Sequence, residues 1–231
     1  MMGSRARKII VAIDGPAGAG KSTVAKRLAK ELDYAYMDTG AMYRAFAWKV
    51  LREGIDLGNE KELKRMLKET RIQLMEHNGR PGVHLDGMDV TEQIRSPEVS
   101  QMASKVSALK IVRERMVELQ REMGCGGGVV AEGRDIGTVV FPEAQVKIYL
   151  DASPRERARR RFDELKSQGK EVTLEKTLEE MNERDRRDTE RAVAPLCAAA
   201  DAVVIDSSRM NIDGVVGRVM QEIRKSNVRT N

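Results

Sequence analysis

At 231 residues, with 41% hydrophobic and 33% charged residues, the chain is long for one compact domain, short for two full-sized ones, and apolar enough to bury a core. A formal net charge of +5 points to anionic partners: nucleotides, nucleic acid or an acidic membrane. Two distant cysteines (Cys125, Cys197) and two histidines (His77, His84) argue against a disulfide framework, a zinc site and a histidine-based triad, and no apolar run approaches the ~18 residues that span a membrane.

Arg5, Arg7 and Lys8 precede only Ile9–Ile13 before Asp14, too short an apolar run for a secretory signal, so the cytoplasm is the expected compartment. Ile9–Ile13 reads as a buried parallel strand entering a turn at Asp14-Gly15-Pro16. Val24, Leu28 and Leu32 recur at helical spacing over Lys21–Leu32; Ala35–Met37 is a second strand, and Ala41–Leu51 a helix stopped near Gly54. A charged helix over Glu60–Lys68 then leads into two strands, Ile72–Glu76 and Val83–Asp86. The turn-rich Asn78-Gly79-Arg80-Pro81-Gly82 between them makes a hairpin. Ile111–Met123 returns to helical spacing and ends at glycines 124 and 126–128. Val129–Ala131 and Val146–Leu150 are buried strands, charged helices start near Pro154 and Leu174, and Ala202–Ile205 and Ile212–Ile223 are the last strand and helix. Five short apolar strands separated by helices describe an α/β fold, a parallel sheet with helices on both faces. With aromatics at 3%, the thirteen methionines read as gap-filling core.

Gly15-Pro16-Ala17-Gly18-Ala19-Gly20-Lys21-Ser22 fits G-x-x-x-x-G-K-[ST] after a strand and at the start of a helix. Glycines let successive N–H groups close on an anion, and the helix N-terminus adds partial positive charge. Lys21 reaches the β- and γ-phosphates, and the Ser22 hydroxyl can ligate Mg²⁺. A chance match in a chain this long is roughly one in a hundred. The loop alone leaves kinase, GTPase, ATPase motor and helicase open. No late Asn/Thr-Lys-x-Asp guanine reader is present, and Val129–Ala131 ends in a single acid, Glu132, where a motor strand carries consecutive acids. Small size and downstream arginines favour a kinase.

Those arginines form two groups. Arg155, Arg157, Arg159, Arg160 and Arg161 crowd one helix, with Arg157 and Arg161 on one face and Arg155 and Arg159 on another. Arg184, Arg187, Asp188 and Arg191 fall at i, i+3, i+4 and i+7. Guanidiniums can stabilise the charge that spreads over a moving phosphoryl group. The competing account is a solvated charged face, for which Glu156, Glu164, Glu183 and Asp185 supply partners. A nucleic-acid stripe is disfavoured because stacking aromatics are scarce and acids are interleaved throughout.

Five stretches together resemble the bacterial-type cytidylate kinases, P-loop nucleoside monophosphate kinases. They are 13–22; Asp38-Thr39-Gly40-Ala41-Met42-Tyr43-Arg44; Glu132-Gly133-Arg134-Asp135 continuing to Pro142; Lys147–Ser153; and Arg184-Asp185-Arg186-Arg187-Asp188 with Arg191–Leu196. They run in family order from about residue 8 to 225, and only the first is generic. The resemblance implies a five-stranded core over 6–62 and 106–227, a monophosphate-binding insert over 63–105, and a short lid at about 155–170. It implies transfer of the γ-phosphoryl group of ATP to CMP and dCMP. ATP would sit on Gly15–Ser22 and Thr23, with Mg²⁺ held by Ser22 and by Glu132 through water; many relatives carry Asp at the Glu132 position and some carry Gly at the Ser22 position. Arg44, Arg134 and Arg191 would hold the acceptor phosphate. Ser104, Arg113 and Asp135 would read cytosine, Arg184 and Asp188 the ribose, and Thr39 and Tyr43 would line the acceptor pocket. Lys21, Arg157 and Arg161 would carry the catalytic charge. The expected partners are ATP and CMP or dCMP, without nucleic acid or membrane, and the expected state is a monomer.

Overall fold

The computed structural model describes residues 8–77 and 80–229. In chain order the elements are β1 (Ile10–Asp14), α1 (Lys21–Leu32), β2 (Ala35–Asp38), α2 (Thr39–Glu53), α3 (Glu60–Glu69), β3 (Ile72–His77), β4 (Arg80–Leu85), β5 (Met88–Asp89), α4 (Pro97–Val106) and α5 (Lys110–Gly124). They continue with β6 (Val129–Gly133), β7 (Val146–Asp151), α6 (Pro154–Ser167), α7 (Leu174–Glu190), β8 (Val203–Asp206) and α8 (Ile212–Arg229). The backbone divides into two compact units, one of residues 8–36 with 124–229 and one of Met37–Met123.

In the first unit the sheet order is β2-β6-β1-β7-β8. β1 lies between β6 and β7, parallel to both, and β8 extends the sheet in parallel from β7. A central strand is covered on both faces, which is why Val11–Asp14 and all of β6 are buried. β7 alternates instead: Val146, Ile148 and Leu150 enter the core, while Lys147, Tyr149 and Asp151 occupy the other face half-buried. Val24, Leu28, Val130, Ile148, Ile205, Val216, Val219 and Ile223 share one core, bringing α1 and α8 onto the sheet. Among the described residues no helix is long and apolar enough to cross a membrane.

The second unit is built on α2, which is apolar nearly all round and therefore buried rather than amphipathic. Met42 and Phe46 are fully buried with Leu63, Met66, Leu85, Val112 and Met116. Three of the methionines thus pack the core, as their abundance suggested. β3, β4 and β5 form a separate antiparallel sheet. The strands run further than the sequence suggested, since His77 pairs with Arg80 and β4 takes up residues 80–82 of the turn-rich stretch; residues 78 and 79 lie outside the described residues. The bounds drawn at 63 and 105 fall inside one packed body, because α2 packs on α4 and β4, and α5 contributes Val112 and Met116 to the same core. The sequence reading passed over α4, although Ser96 caps it through the Val99 amide and Pro97 occupies its first turn.

Candidate nucleotide site

The loop after β1 is shaped by two glycines in particular. Gly15 has φ +146°, and a Cβ there would lie 1.9 Å from the Leu150 carbonyl oxygen, so only glycine lets the loop leave the sheet this close to β7. Gly20, at φ +93°, starts α1. Lys21 is the first residue of α1 and is buried, its ammonium donating to the Pro16 carbonyl at 2.6 Å. Burial, reinforced by the Arg134 and Arg184 cations, lowers Lys21 to about 7, with Glu132 and Asp14 opposing. Ser22 and Thr23 are exposed in the first turn of α1, at the positive end of the helix dipole. Such an arrangement can cradle an anion, whose charge would favour the ammonium form of Lys21.

α6 and α7 brace the cradle. Arg157 is buried; its Nε donates to Ala152 O (2.9 Å) and its Nη1 to Ala17 O (3.2 Å) and to the Asp185 carboxylate. Asp185 also accepts the Ala17 amide at 3.4 Å. Arg160 donates to Ala19 O and, through both terminal nitrogens, to Ser207, whose hydroxyl is within hydrogen-bond reach of Ala19 O and Asp151 O. Arg161, expected beside Arg157, instead pairs with Glu164 at 2.7 Å on a more exposed flank. Helical spacing identified the face but not the residue: Arg160 reaches the loop and Arg161 does not. Arg159 bonds Glu156 and Asp163 in solvent, as the solvated-face account held for part of this group.

A second cluster in the same unit gathers four expected acceptor residues. Arg134 Nε donates to Asp188 at 2.9 Å; Asp188 lies 3.9 Å from Arg191, and Arg191 3.9 Å from Asp135. Burial works to raise the Asp188 carboxyl, but Arg134, Arg184 and Arg191 hold it below the usual carboxylate range. Arg191 is also anchored on Ala194 O at 2.6 Å. Glu132 is buried beside the loop lysine and accepts the Tyr36 hydroxyl hydrogen. Tyr149, on the half-buried face of β7, is raised above its ordinary value by burial and by Asp151 and Asp185. Its neighbours are therefore the same charged groups.

Five expected residues belong to the second unit. Asp38 caps α2 through the Ala41 amide (2.8 Å) and holds Arg44 at 3.0 Å. Thr39 is the buried first residue of α2, and the buried Tyr43 ring lies under the Arg113 guanidinium, 5.7 Å from its centroid. Arg113 is itself buried and donates to Ser107 O at 3.0 Å. Ser104 Oγ is buried with no hydrogen-bond partner among the described residues, an energetically costly state for a hydroxyl. Thr39, Tyr43, Arg44, Ser104 and Arg113 thus share one body.

The sequence assigned no site role to Asp14, Tyr36, Asp38, Arg160 or Ser207, although Arg160 stood in the arginine group and Asp14, Asp38 and Asp185 in the family stretches. Asp14 carried a further signal, an acid at the end of an otherwise apolar strand. It is 4% exposed, and its two carboxylate oxygens accept the Ile136 and Gly137 amides at 2.8 and 2.7 Å. Burial nevertheless pushes it up to about 6.

A family model described as cytidylate kinase matches residues 11–225. A cytidylate kinase of Pelotomaculum thermopropionicum is 55% identical over 214 residues, covering 92% of this chain and 95% of that protein. One from Desulfitobacterium hafniense is 52% identical, covering 93% and 92%, and one from Syntrophotalea carbinolica 50% identical, covering 94% and 92%. Among solved structures, an uncharacterized protein from Eubacterium ventriosum shares the fold with a TM-score of 0.52 at 14% identity, covering 94% of this chain and 99% of its own.

Proposed function

The chain belongs to the cytidylate kinase family, and on that premise we propose which of its groups carry the reaction, transfer of the γ-phosphoryl group of ATP to CMP, with dCMP as a second acceptor. The observation that supports this most is the loop at 15–22 with a buried lysine whose cationic form is poorly solvated until an anion arrives. ATP is assigned to residues 15–23, with the loop amides and the N-terminus of α1 on its phosphates. The oxygen set of the exposed Ser22 hydroxyl and the buried Glu132 carboxylate fits a hard cation, so these residues would hold Mg²⁺, directly and through water, with Tyr36 orienting Glu132. When bound, the cation neutralises charge on the transferring phosphoryl group.

Arg134 and Arg191 are assigned to the acceptor phosphate, as is Arg44 from its Asp38 support. Asp188 and Arg184 are assigned to the ribose hydroxyls. Cytosine presents an exocyclic amine beside a ring nitrogen and a carbonyl, so its reader needs both an acceptor and donors. Asp135 supplies the first, and Arg113 with the unpartnered Ser104 hydroxyl the others. Thr39 and Tyr43 are assigned to the pocket lining. The acceptor phosphate is already anionic near neutral pH, so no general base is required. Catalysis is alignment plus charge neutralisation by Lys21 and Arg157. Arg161 would have to exchange Glu164 for phosphate to join them. Arg157 and Arg160 tie the first turns of α6 to the loop, so within the lid at 155–170 the part free to close over ATP and exclude water is its C-terminal half. Two lone cysteines favour the cytoplasm, and a monomer is the simplest assembly for this reaction.

The test is ADP release with Mg-ATP and CMP, dCMP, UMP or AMP. Strong acceleration by CMP and dCMP, and little by AMP, is expected. No acceleration by CMP overturns the assignment.

A further inference from the structure

Asp14 is the residue where β1 passes into the phosphate loop, and it lies opposite Gly133 in the parallel pairing of β1 with β6. The two strands therefore end together, one leading to Gly15 and the other to Arg134 and Asp135. Beyond Asp135 the chain makes one wide helical turn, Ile136–Val140, in which the Asp135 carbonyl accepts the Val139 and Val140 amides at 2.9 and 3.1 Å. The first two amides of that turn, Ile136 and Gly137, point at Asp14 and take one carboxylate oxygen each. A Cβ at Gly137 would press on the Lys147 side chain at 3.2 Å and lie in ordinary contact with Asp14 Oδ2 at 3.4 Å.

Fold stability alone accounts poorly for this carboxylate. Buried charge is costly, and the two amides with the nearby Lys21 cation do not fully compensate it, so the proton affinity of Asp14 is raised. A serine or asparagine could cap one amide without the charge. What the anion adds is a pair of short charge-assisted bonds, converging on two consecutive amides, that fix the backbone next to Asp135.

Resting on the reading of Asp135 as the cytosine acceptor, we propose that Asp14 is a positioning residue for base recognition, holding the 136–137 amides so that Asp135 and Arg134 keep their placement toward the acceptor nucleotide. It touches neither substrate. Its substitution acts through the turn, on the acceptor side of the reaction more than on the donor side.

The variant is Asp14→Asn, nearly isosteric but with an amide nitrogen facing one of the two N–H groups. Steady-state kinetics with CMP and UMP would be compared with Asp135→Ala, alongside the Kd of ADP measured without acceptor. For Asp14→Asn we expect KM for CMP to rise about tenfold or more, because small misplacements of a substrate-binding group carry penalties of that order. The CMP over UMP ratio of kcat/KM should fall while the ADP Kd stays within about twofold. A role confined to stability would lower the thermal midpoint and leave the ratio intact. If Asp135→Ala alters the ratio and Asp14→Asn does not, the positioning role of Asp14 is overturned. If Asp135→Ala leaves the ratio unchanged, the base reading itself fails, and the inference with it. Should Asp14→Asn not fold, Asp14→Ser, which keeps one neutral acceptor for the two amides, is judged by the same ratio.

Discussion

Arg157 offers the sharpest measurement of how the phosphate loop is braced. Its guanidinium donates to two carbonyls, Ala152 and Ala17, and to the Asp185 carboxylate, with Asp151 3.9 Å from Nε, while its side chain is 7% exposed and that of Asp185 17%. Arg157→Met keeps the apolar stem and removes the charge. Hydrogen bonds to charged groups contribute about 1.5–3 kcal/mol, and stranding one partner of a buried pair costs about 3–5 kcal/mol. Asp185 retains some water and the Ala17 amide, so the lower part of that range applies, about 3 kcal/mol. Asp185→Asn loses less, because an amide can still face the guanidinium. Urea titrations of both single variants and the double variant then give a coupling of about 2 kcal/mol. Arg159 and Asp163 on the same helix are the control: both are 58% exposed at 3.2 Å, and their cycle should show no resolvable coupling. A coupling for Arg157–Asp185 no larger than for Arg159–Asp163 would refute the view that α6 and α7 hold the loop through this pair.

Two further outcomes follow from the loop itself. Lys21 falls from 10.5 to about 7 in the fold, so between those values the unfolded chain binds more protons and stability rises with pH. At roughly 1.4 kcal/mol for each tenfold change in proton affinity, the ammonium form costs several kcal/mol at and below neutral pH. Lys21→Met should therefore lose kcat by at least about 10²–10³-fold while unfolding at higher urea than the native chain at pH 7, an advantage that fades toward pH 10; equal stability at both pH values would contradict the depressed lysine. Gly15→Ala meets the Leu150 carbonyl at 1.9 Å and a disfavoured φ, for a combined cost of about 4 kcal/mol or more. Gly54→Ala, at φ +64° with nothing within 4 Å, should cost only about 1 kcal/mol. Similar unfolding midpoints for the two variants would show that the close approach to β7 is not what requires glycine at 15.

What could be read from the chain follows from how local each feature is. Residues 15–22 are legible because their types encode their geometry: glycine where φ is positive or backbone approaches backbone, lysine at the first helical position. The five sheet strands and most helices are legible from apolar runs and spacing, since β1 and β6 must be buried on both faces to be so apolar. α4 was equally legible through Ser96-Pro97, a cap followed by the one residue suited to the first turn. The insert bound at 63 falls just inside the charged helix α3, which begins at Glu60. It does not mark where packing begins, and the apolar circumference of α2 was the better guide to what forms the second body.

The unread part of the site consists of long-range choices. Arg157, Arg160 and Arg161 lie within about 100° of one another around α6 at 100° per residue, so periodicity cannot decide which of them meets the loop. That depends on Asp185, 28 positions away from Arg157, and on Ser207, 47 away from Arg160. Asp14 is the extreme case: its partners are backbone amides 122 and 123 positions away, and backbone amides have no residue type to recognise. The only trace left in the chain is on one side of the contact, an acid that a buried apolar strand should exclude. A residue that contradicts its own element in this way marks a demand made elsewhere in the fold, and here that demand falls on the segment carrying Arg134 and Asp135.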